Sequence, residues 1–367
     1  GGGRAAQPAP PWRRAPRAVR RICWAMSSAA RRCAGDAEQP PVRSEPHRST
    51  RRRLPKVAIR ILSGLVLGEI MGCATFAGGW AFVLAYGAAV YLISREYANI
   101  VNQVLEPPLV PALQWSLFCV SSCTLLAAHF GVLTGIFECA ACSMLVLLLL
   151  WQGNTKRPDG GVSITFSHIA SQVFGVFYVG YLPAFWVRMR SISLALPSEP
   201  ASWLVWLLRL LHWPLEASVG TCATVSLVLC IIAADSCAYF GGKKWGRRPL
   251  TLVSPKKTLE GAYFGLAGSV AMALLCDATW GFPASPAVSV ALGVTIFLSS
   301  LLGDLVVSAM KRDAGLKDAG SLIPGHGGIL DRFDSYFFAC PMAYFCWYMF
   351  LKATGNPLTP LIVPAGS

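Results

Sequence analysis

Charged residues are scarce in this sequence. Asp, Glu, Lys and Arg make up 14% of the 367 residues, whereas hydrophobic residues make up 54%. A typical soluble domain has about 25% charged residues, which cover its surface. This scarcity excludes an ordinary soluble domain and indicates a protein with several membrane-spanning segments.

Acidic residues are scarcest at the start of the chain. Residues 1–60 contain fifteen Lys and Arg but only three acidic residues, Asp36, Glu38 and Glu45. The rest of the chain is nearly balanced, so the net charge of +14 comes mainly from the leader. The basic character is therefore a poor indication of nucleic-acid binding, because no basic face with interleaved aromatic residues follows the leader.

Residues 1–55 also lack an apolar run long enough to span a bilayer or to act as a secretory signal. A segment rich in Arg, Ala, Pro and Ser is typical of a disordered organelle transit peptide, and a basic tail lying on anionic lipid is the alternative. The expected destination is a chloroplast (plastid) membrane, with the mitochondrial inner membrane as the alternative. Cys139 and Cys142 have a CxxC spacing but lie in an apolar run without a second Cys or His pair at zinc spacing, so we interpret them as buried apolar residues.

Nine apolar segments follow the leader, each close to the roughly 20 residues that cross a bilayer. They are residues 57–77, 79–94, 113–129, 131–151, 168–187, 217–240, 261–280, 288–307 and 335–352. The expected fold is an all-α polytopic transmembrane bundle, because isolated strands cannot satisfy their backbone groups in lipid. We expect N-terminal membrane helices over 56–216, catalytic helices and loops over 217–353, and a C-terminal tail over 354–367.

The basic loops agree with the positive-inside rule if the N-terminus is inside, with two exceptions. Arg188 and Arg190 fall on the opposite side of the membrane from the other clusters. Glu96, which follows the second apolar segment, is either a charge at a helix end or part of a functional site.

The densest charges lie between the last two apolar segments, in Ser308–Asp334. Acidic and basic side chains alternate there, and a glycine-rich stretch would let the backbone approach a ligand closely. Carboxylates can fix divalent cations, while Lys and Arg can neutralise a transferred phosphoryl group. This pattern indicates phosphoryl or nucleotidyl transfer at the membrane surface.

A second charged segment, Asp235–Gly261, begins near the end of the sixth apolar segment. An unpaired Asp235 at that depth would be costly, so we expect it to have a cation partner. Ser254 and Pro255 are typical of the start of a helix, which would place Lys256 and Lys257 in its first turn. Lysines in the first turn are unfavourable beside the positive end of the helix dipole unless an anion such as a triphosphate binds there.

These segments resemble the phosphatidate cytidylyltransferases (CDP-diacylglycerol synthases) of the bacterial and plastid type. The long signature is filled by Ser308, Lys311, Arg312, Lys317, Asp318, Gly320, Pro324, His326, Gly327, Gly328 and residues 331–334. Further matches are Asp235, Ala238, Tyr239 and Gly242, then residues 254–261 and 178–181. The resemblance covers roughly residues 57–351 and does not extend to the leader.

The resemblance implies transfer of CMP from CTP to phosphatidic acid, which gives CDP-diacylglycerol and pyrophosphate. The expected catalytic residues are Asp304, Asp331, Lys311, Arg312, Asp318 and Asp334. The expected substrate-binding residues are Asp235, Ser254, Lys256, Lys257, Thr258, Ser308, Lys317, His326, Gly327, Gly328 and Arg332.

The resemblance also implies a need for Mg²⁺, with room for a second cation, and a homodimer in the membrane. Asp304 and Asp331 are the first choices as metal ligands, ahead of Asp334, Asp318 and Asp235. Two other classes stay open at this point, a CTP-using lipid kinase that would release CDP and a transporter of anionic metabolites.

Overall fold

Helices are the regular elements throughout the part of the chain that the structure describes. The structure is a computed structural model that describes residues 56–106, 111–131, 164–194, 218–282, 285–320 and 327–354, with isolated positions between them. Its helices are α1 (Lys56–Ala77), α2 (Gly79–Val104), α3 (Pro111–His129), α4 (Phe166–Arg190), α5 (Val219–Trp245), α6 (Leu259–Trp280), α7 (Pro286–Asp313) and α8 (Leu330–Ala353).

Four of these helices, α4 to α7, are long and apolar enough to cross a membrane. Together with the helical content, this supports the predicted helical membrane protein. Eight of the nine predicted segments coincide with described helices, while most of 131–151 lies outside the described residues. The count of nine crossings stays a prediction.

The helices extend beyond the apolar segments at the ends that carry charge. Helix α2 continues from the predicted limit at residue 94 to Val104, and α7 continues from 307 to Asp313. Glu96 and Lys311 therefore lie on rigid helices instead of loops. Apolar periodicity marks only the part of a helix that faces lipid or core, so it underestimates helices that emerge at the membrane surface.

An aromatic core connects the N-terminal helices with α8. Tyr86 of α2 packs edge-on against Phe333, with ring centroids 6.1 Å apart, and also lies 5.3 Å from Trp186 of α4. Tyr178 of α4 packs edge-on against Phe337 at 5.0 Å. These rings are all buried, so α8 is fixed by packing along its first two turns.

Arg190 explains one exception to the positive-inside rule. Its guanidinium Nε donates to the carbonyl oxygen of Thr75, and its Nη2 donates to that of Phe76 at 3.2 Å. It therefore caps the C-terminal carbonyl groups of α1, where a cation also complements the helix dipole. Arg188 lies over the ring of Phe185, 5.6 Å from its centroid.

Helix α4 contains a π-helical turn at Val176–Tyr181. Such turns are uncommon and often occur near functional sites. The turn includes the Tyr178–Tyr181 stretch singled out in the sequence, and it places Tyr178 in the buried core against α8.

Candidate active site

A cavity of about 440 Å³ lies between α5, α6, α7 and the loop that joins α5 to α6. Helix α5 contributes Asp235, Tyr239 and Lys243, whereas α7 contributes Phe297 and Ser300. The loop and the start of α6 contribute Ser254, Lys256, Lys257 and Thr258. Five of the predicted substrate-binding residues, all in the second charged segment, thus line one cavity.

The predicted helix start at Ser254 is wrong. Helix α6 begins at Leu259, and the Thr258 side chain caps it by accepting from the Gly261 amide at 3.1 Å. The preceding loop folds back on itself, since the Leu250 amide donates to the Lys257 carbonyl at 2.7 Å. Lys257 therefore lies in the turn that directly precedes the helix, and not in the first turn of the helix.

Asp304 lies next to the cavity and forms an ion pair with Lys257 through its Oδ2. Asp304 also lies within hydrogen-bonding reach of the Asp334 side chain and interacts electrostatically with Asp235. Gly303 makes this arrangement possible, because a Cβ at that position would overlap the Asp334 carbonyl oxygen. Close contact between α7 and α8 thus brings carboxylates from three helices together.

Asp331 has a different environment. Its Oδ1 accepts a hydrogen bond from Lys311 Nζ at 2.5 Å, and its Oδ2 accepts from the amides of Ala319 (2.8 Å) and Gly328 (3.2 Å). The carboxylate therefore closes the loop between α7 and α8 onto the first turn of α8. Both oxygens of Asp331 therefore have strong donors, whereas Asp304 has a single ion pair with Lys257.

Asp304 and Asp334 are the neighbouring carboxylates through which a Mg²⁺ ion could be held. Adjacent carboxylates of Asp304 and Asp334 repel each other unless a cation or a proton lies between them. No group of three or more His, Cys, Asp or Glu residues is arranged to bind a metal among the described residues. Mg²⁺ needs no such group, since one or two carboxylates, water molecules and substrate phosphates commonly complete its coordination.

The remaining predicted residues are more dispersed. Arg312 is exposed in the last turn of α7, and Lys317 and Asp318 are exposed beyond its end. Ser308 is half-buried within that helix. Arg332 is exposed and interacts electrostatically with Asp235. Gly327 has a φ of 83°, a backbone conformation that favours glycine. His326 lies outside the described residues.

Two residues that the sequence did not assign also reach this region. Tyr178, buried in the π-helical turn, interacts electrostatically with Asp334 and Asp304. Glu96 of α2 is buried, and its carboxylate contacts the start of α8. The position of Glu96 just after an apolar segment was the available signal for it. Tyr178 belongs to the 178–181 stretch that matched the family, but that match gave it no role.

The sequence that forms these helices and the charged cavity matches a known protein family. The sequence profile described as "Cytidylyltransferase family" matches residues 58–350. The chain belongs to this family. The match includes the cavity and all three helices that contribute the clustered carboxylates, and it confirms the family expected from the motifs.

Individual relatives in the family agree with this assignment. Phosphatidate cytidylyltransferase 4, chloroplastic, of Arabidopsis thaliana is 39% identical over 78% of this chain and 72% of its own length. Its paralogue, phosphatidate cytidylyltransferase 5, chloroplastic, is 41% identical over 78% and 70%. Phosphatidate cytidylyltransferase of Synechocystis is 36% identical over 81% of this chain and 98% of its own.

Proposed function

We propose that this protein is a phosphatidate cytidylyltransferase. It transfers CMP from CTP to phosphatidic acid and forms CDP-diacylglycerol and pyrophosphate. The observation that carries this conclusion is the cavity at the ends of apolar helices, where lysines and carboxylates meet within the span that matches the family. A nucleotide with several phosphates and an anionic lipid both require such a site.

The lysines of the cavity supply charge for the triphosphate. Lys256 and Lys257 line the cavity beside the α6 start, and Lys243 approaches from α5. Lys257 has a long flexible side chain, so its ammonium group can turn from Asp304 toward a phosphate oxygen. The transferred group would therefore be neutralised by side chains that are already in place.

The reaction needs positioning more than acid–base chemistry. An ionised oxygen of the lipid phosphate attacks the α-phosphorus of CTP in line, and the new P–O bond replaces the bond to the β-phosphate. Pyrophosphate leaves with the electron pair of the broken bond. Because the nucleophile is already ionised, neither a general base nor a covalent intermediate on the protein is required.

Asp304 and Asp334 would hold Mg²⁺, and Asp235, which interacts electrostatically with Asp304, would add negative charge to the site. The ion would neutralise the negative charge that develops on the pyrophosphate leaving group. Of the two ligands expected from the sequence, Asp304 is retained and Asp331 is replaced by Asp334. The reason is that Asp331 is already bound by Lys311 and two amides.

We further propose that the protein crosses a plastid membrane nine times and works as a homodimer. The plastid is preferred to the mitochondrion because two of the relatives are named chloroplastic. The basic leader of residues 1–55, which lies outside the described residues, is consistent with a transit peptide.

Purified protein in mixed micelles of phosphatidate and detergent tests the function directly. With CTP labelled at the α-phosphate, we expect label in a chloroform-soluble product and stoichiometric pyrophosphate, both dependent on Mg²⁺. Release of CDP instead of pyrophosphate would identify γ-phosphoryl transfer and overturn the proposal. Absence of turnover with phosphatidate, in the presence of Mg²⁺ and an intact fold, would overturn it as well.

A further inference from the structure

Helix α8 has no cap of its own at its N-terminus. The residue in the N-cap position is Ile329, which lacks a side-chain acceptor, and no side-chain cap bond is formed there. The first turn of this helix nevertheless carries Asp331 and precedes Asp334. An uncapped start would leave buried amide groups without partners, since Ile329 and Leu330 are both buried.

Glu96 supplies the missing acceptors from α2, more than 230 residues earlier in the sequence. Its Oε1 accepts from the Ile329 amide at 3.1 Å, and its Oε2 accepts from the Leu330 amide at 2.8 Å. The side chain is only 7% exposed. A buried carboxylate with two amide donors is a strong, charge-assisted contact, and its negative charge complements the N-terminal end of the helix dipole.

Two glycines of the signature make room for this carboxylate. A Cβ at Gly320 would lie 2.5 Å from Glu96 Oε1, and a Cβ at Gly328 would lie 2.5 Å from Oε2. At Gly320 the three nearest atoms that a Cβ would meet all belong to Glu96. At these two positions of the connection between α7 and α8, the backbone fits closely around the Glu96 side chain.

We infer that Glu96 is a positioning residue, which holds the start of α8 so that Asp331 and Asp334 keep their geometry. It does not line the cavity proposed for CTP. It acts through the backbone of Ile329 and Leu330, and through the loop that Asp331 closes. This inference rests on the proposed function for its effect on turnover, but the contact itself can be measured without activity.

The variant Glu96→Gln removes the negative charge of the carboxylate and keeps the size of the side chain. The amide keeps one oxygen acceptor, while its NH₂ group would face a backbone N–H. We expect kcat to fall roughly tenfold to a hundredfold, as for residues that orient catalytic ligands. The KM for CTP should change by less than about threefold, because the interaction supports the transition state and not nucleotide binding. Glu69→Gln, the same change at an exposed position of α1, serves as the matched control.

Hydrogen exchange measured by mass spectrometry on the intact protein gives a readout that does not depend on turnover. In Glu96→Gln, the peptide that contains Ile329 and Leu330 should exchange faster, while peptides of α5 and α6 should keep their protection. A uniform increase across the helices would instead indicate general destabilisation and would overturn the positioning role. If wild-type protein were inactive, this local change would still support the contact, and the proposed function alone would fail.

A double-mutant cycle with Gly320→Ala completes the test. Alanine at 320 should lower kcat in wild-type protein because its methyl group overlaps Glu96. In the Glu96→Asp background the shorter side chain leaves space, so the loss caused by Gly320→Ala should be at least about threefold smaller. Additive losses, or a Glu96→Gln enzyme with kcat within twofold of the wild type, would overturn the inference. If Glu96→Gln does not fold, the cycle with Glu96→Asp decides by the same kinetic comparison.

Discussion

Two lysine–aspartate pairs of the same chemistry occupy different environments in this protein. The Lys257–Asp304 pair borders the cavity, with side chains that are 33% and 22% exposed. The Lys311–Asp331 pair is more enclosed, at 12% and 8%, and backbone amides also hold its carboxylate. The first pair can exchange partners with a ligand at little cost, whereas separation of the second would leave buried charge without compensation.

This difference assigns separate roles to two aspartates that the sequence presents as equals. Both lie in charged stretches at helix ends, and both were expected to bind metal. In the structure, Asp304 lies beside another carboxylate and pairs with Lys257, whereas Asp331 accepts from Lys311 and two backbone amides. Asp304 should therefore matter most for turnover, and Asp331 most for the stability of the loop between α7 and α8.

Asp304→Asn should have the largest effect on activity. Loss of its charge removes one of the carboxylates proposed to hold Mg²⁺, so we expect kcat to fall at least about a hundredfold. The melting temperature in detergent should change little, because the Asp304 pair is partly exposed. Turnover close to wild type, measured by pyrophosphate release, would show that the exposed pair is not part of the reaction.

Asp331→Asn should have the largest effect on stability. The change leaves Lys311 buried without its partner, which costs about 3–5 kcal/mol when a buried pair is broken. Thermal denaturation in detergent should reveal the loss, with the exposed Asp313→Asn at the end of α7 as the control. An Asp331→Asn protein as stable as this control would remove the distinction between the two pairs.

Lys257→Ala should weaken nucleotide binding. Lys257 lines the cavity, and loss of one charged contact to a phosphate should raise the KM for CTP roughly tenfold. Lys244→Ala is the matched control, since Lys244 lies over the ring of Trp245, 4.5 Å from its centroid. Equal KM values for the two variants, from initial rates at varied CTP, would contradict a phosphate-binding role for the exposed pair.

Thr258→Ala should have the smallest effect. It removes the N-cap of α6 next to Lys257 and should lower the free energy of unfolding by about 1 kcal/mol. Ser254→Ala should leave thermal stability unchanged, because Ser254 does not cap the helix. A lower melting temperature for Ser254→Ala than for Thr258→Ala would instead support the helix start at Ser254 that the sequence predicts.

Local composition predicted most of the helices and the family. Apolar runs identify helices through burial in lipid or core, and eight of them coincide with described helices. The motifs around Lys256 and Asp331 resemble those of the phosphatidate cytidylyltransferases, and the family match confirmed that resemblance. These signals are local, because they depend on residues close together in the chain.

Contacts within loops and contacts between distant segments could not be predicted in this way. Nothing near Ser254 indicates that the Leu250 amide bonds to Lys257 and moves the helix start to Leu259. Likewise, no pattern near Glu96 indicates that its partners are the amides of Ile329 and Leu330. Such contacts depend on how the helices pack, which is a property of the tertiary fold.

The π-helical turn at Val176–Tyr181 bears on how the chain tolerates changes in length. Such a turn holds one residue more than an α-helical turn, so a single-residue deletion there could be absorbed as regular α-helix. The two parts of α4 would then keep nearly the same relative orientation, because only the extra residue of the turn is lost. Homologous sequences should therefore accept a single-residue deletion within these six residues more readily than within the regular α-helical parts of α4.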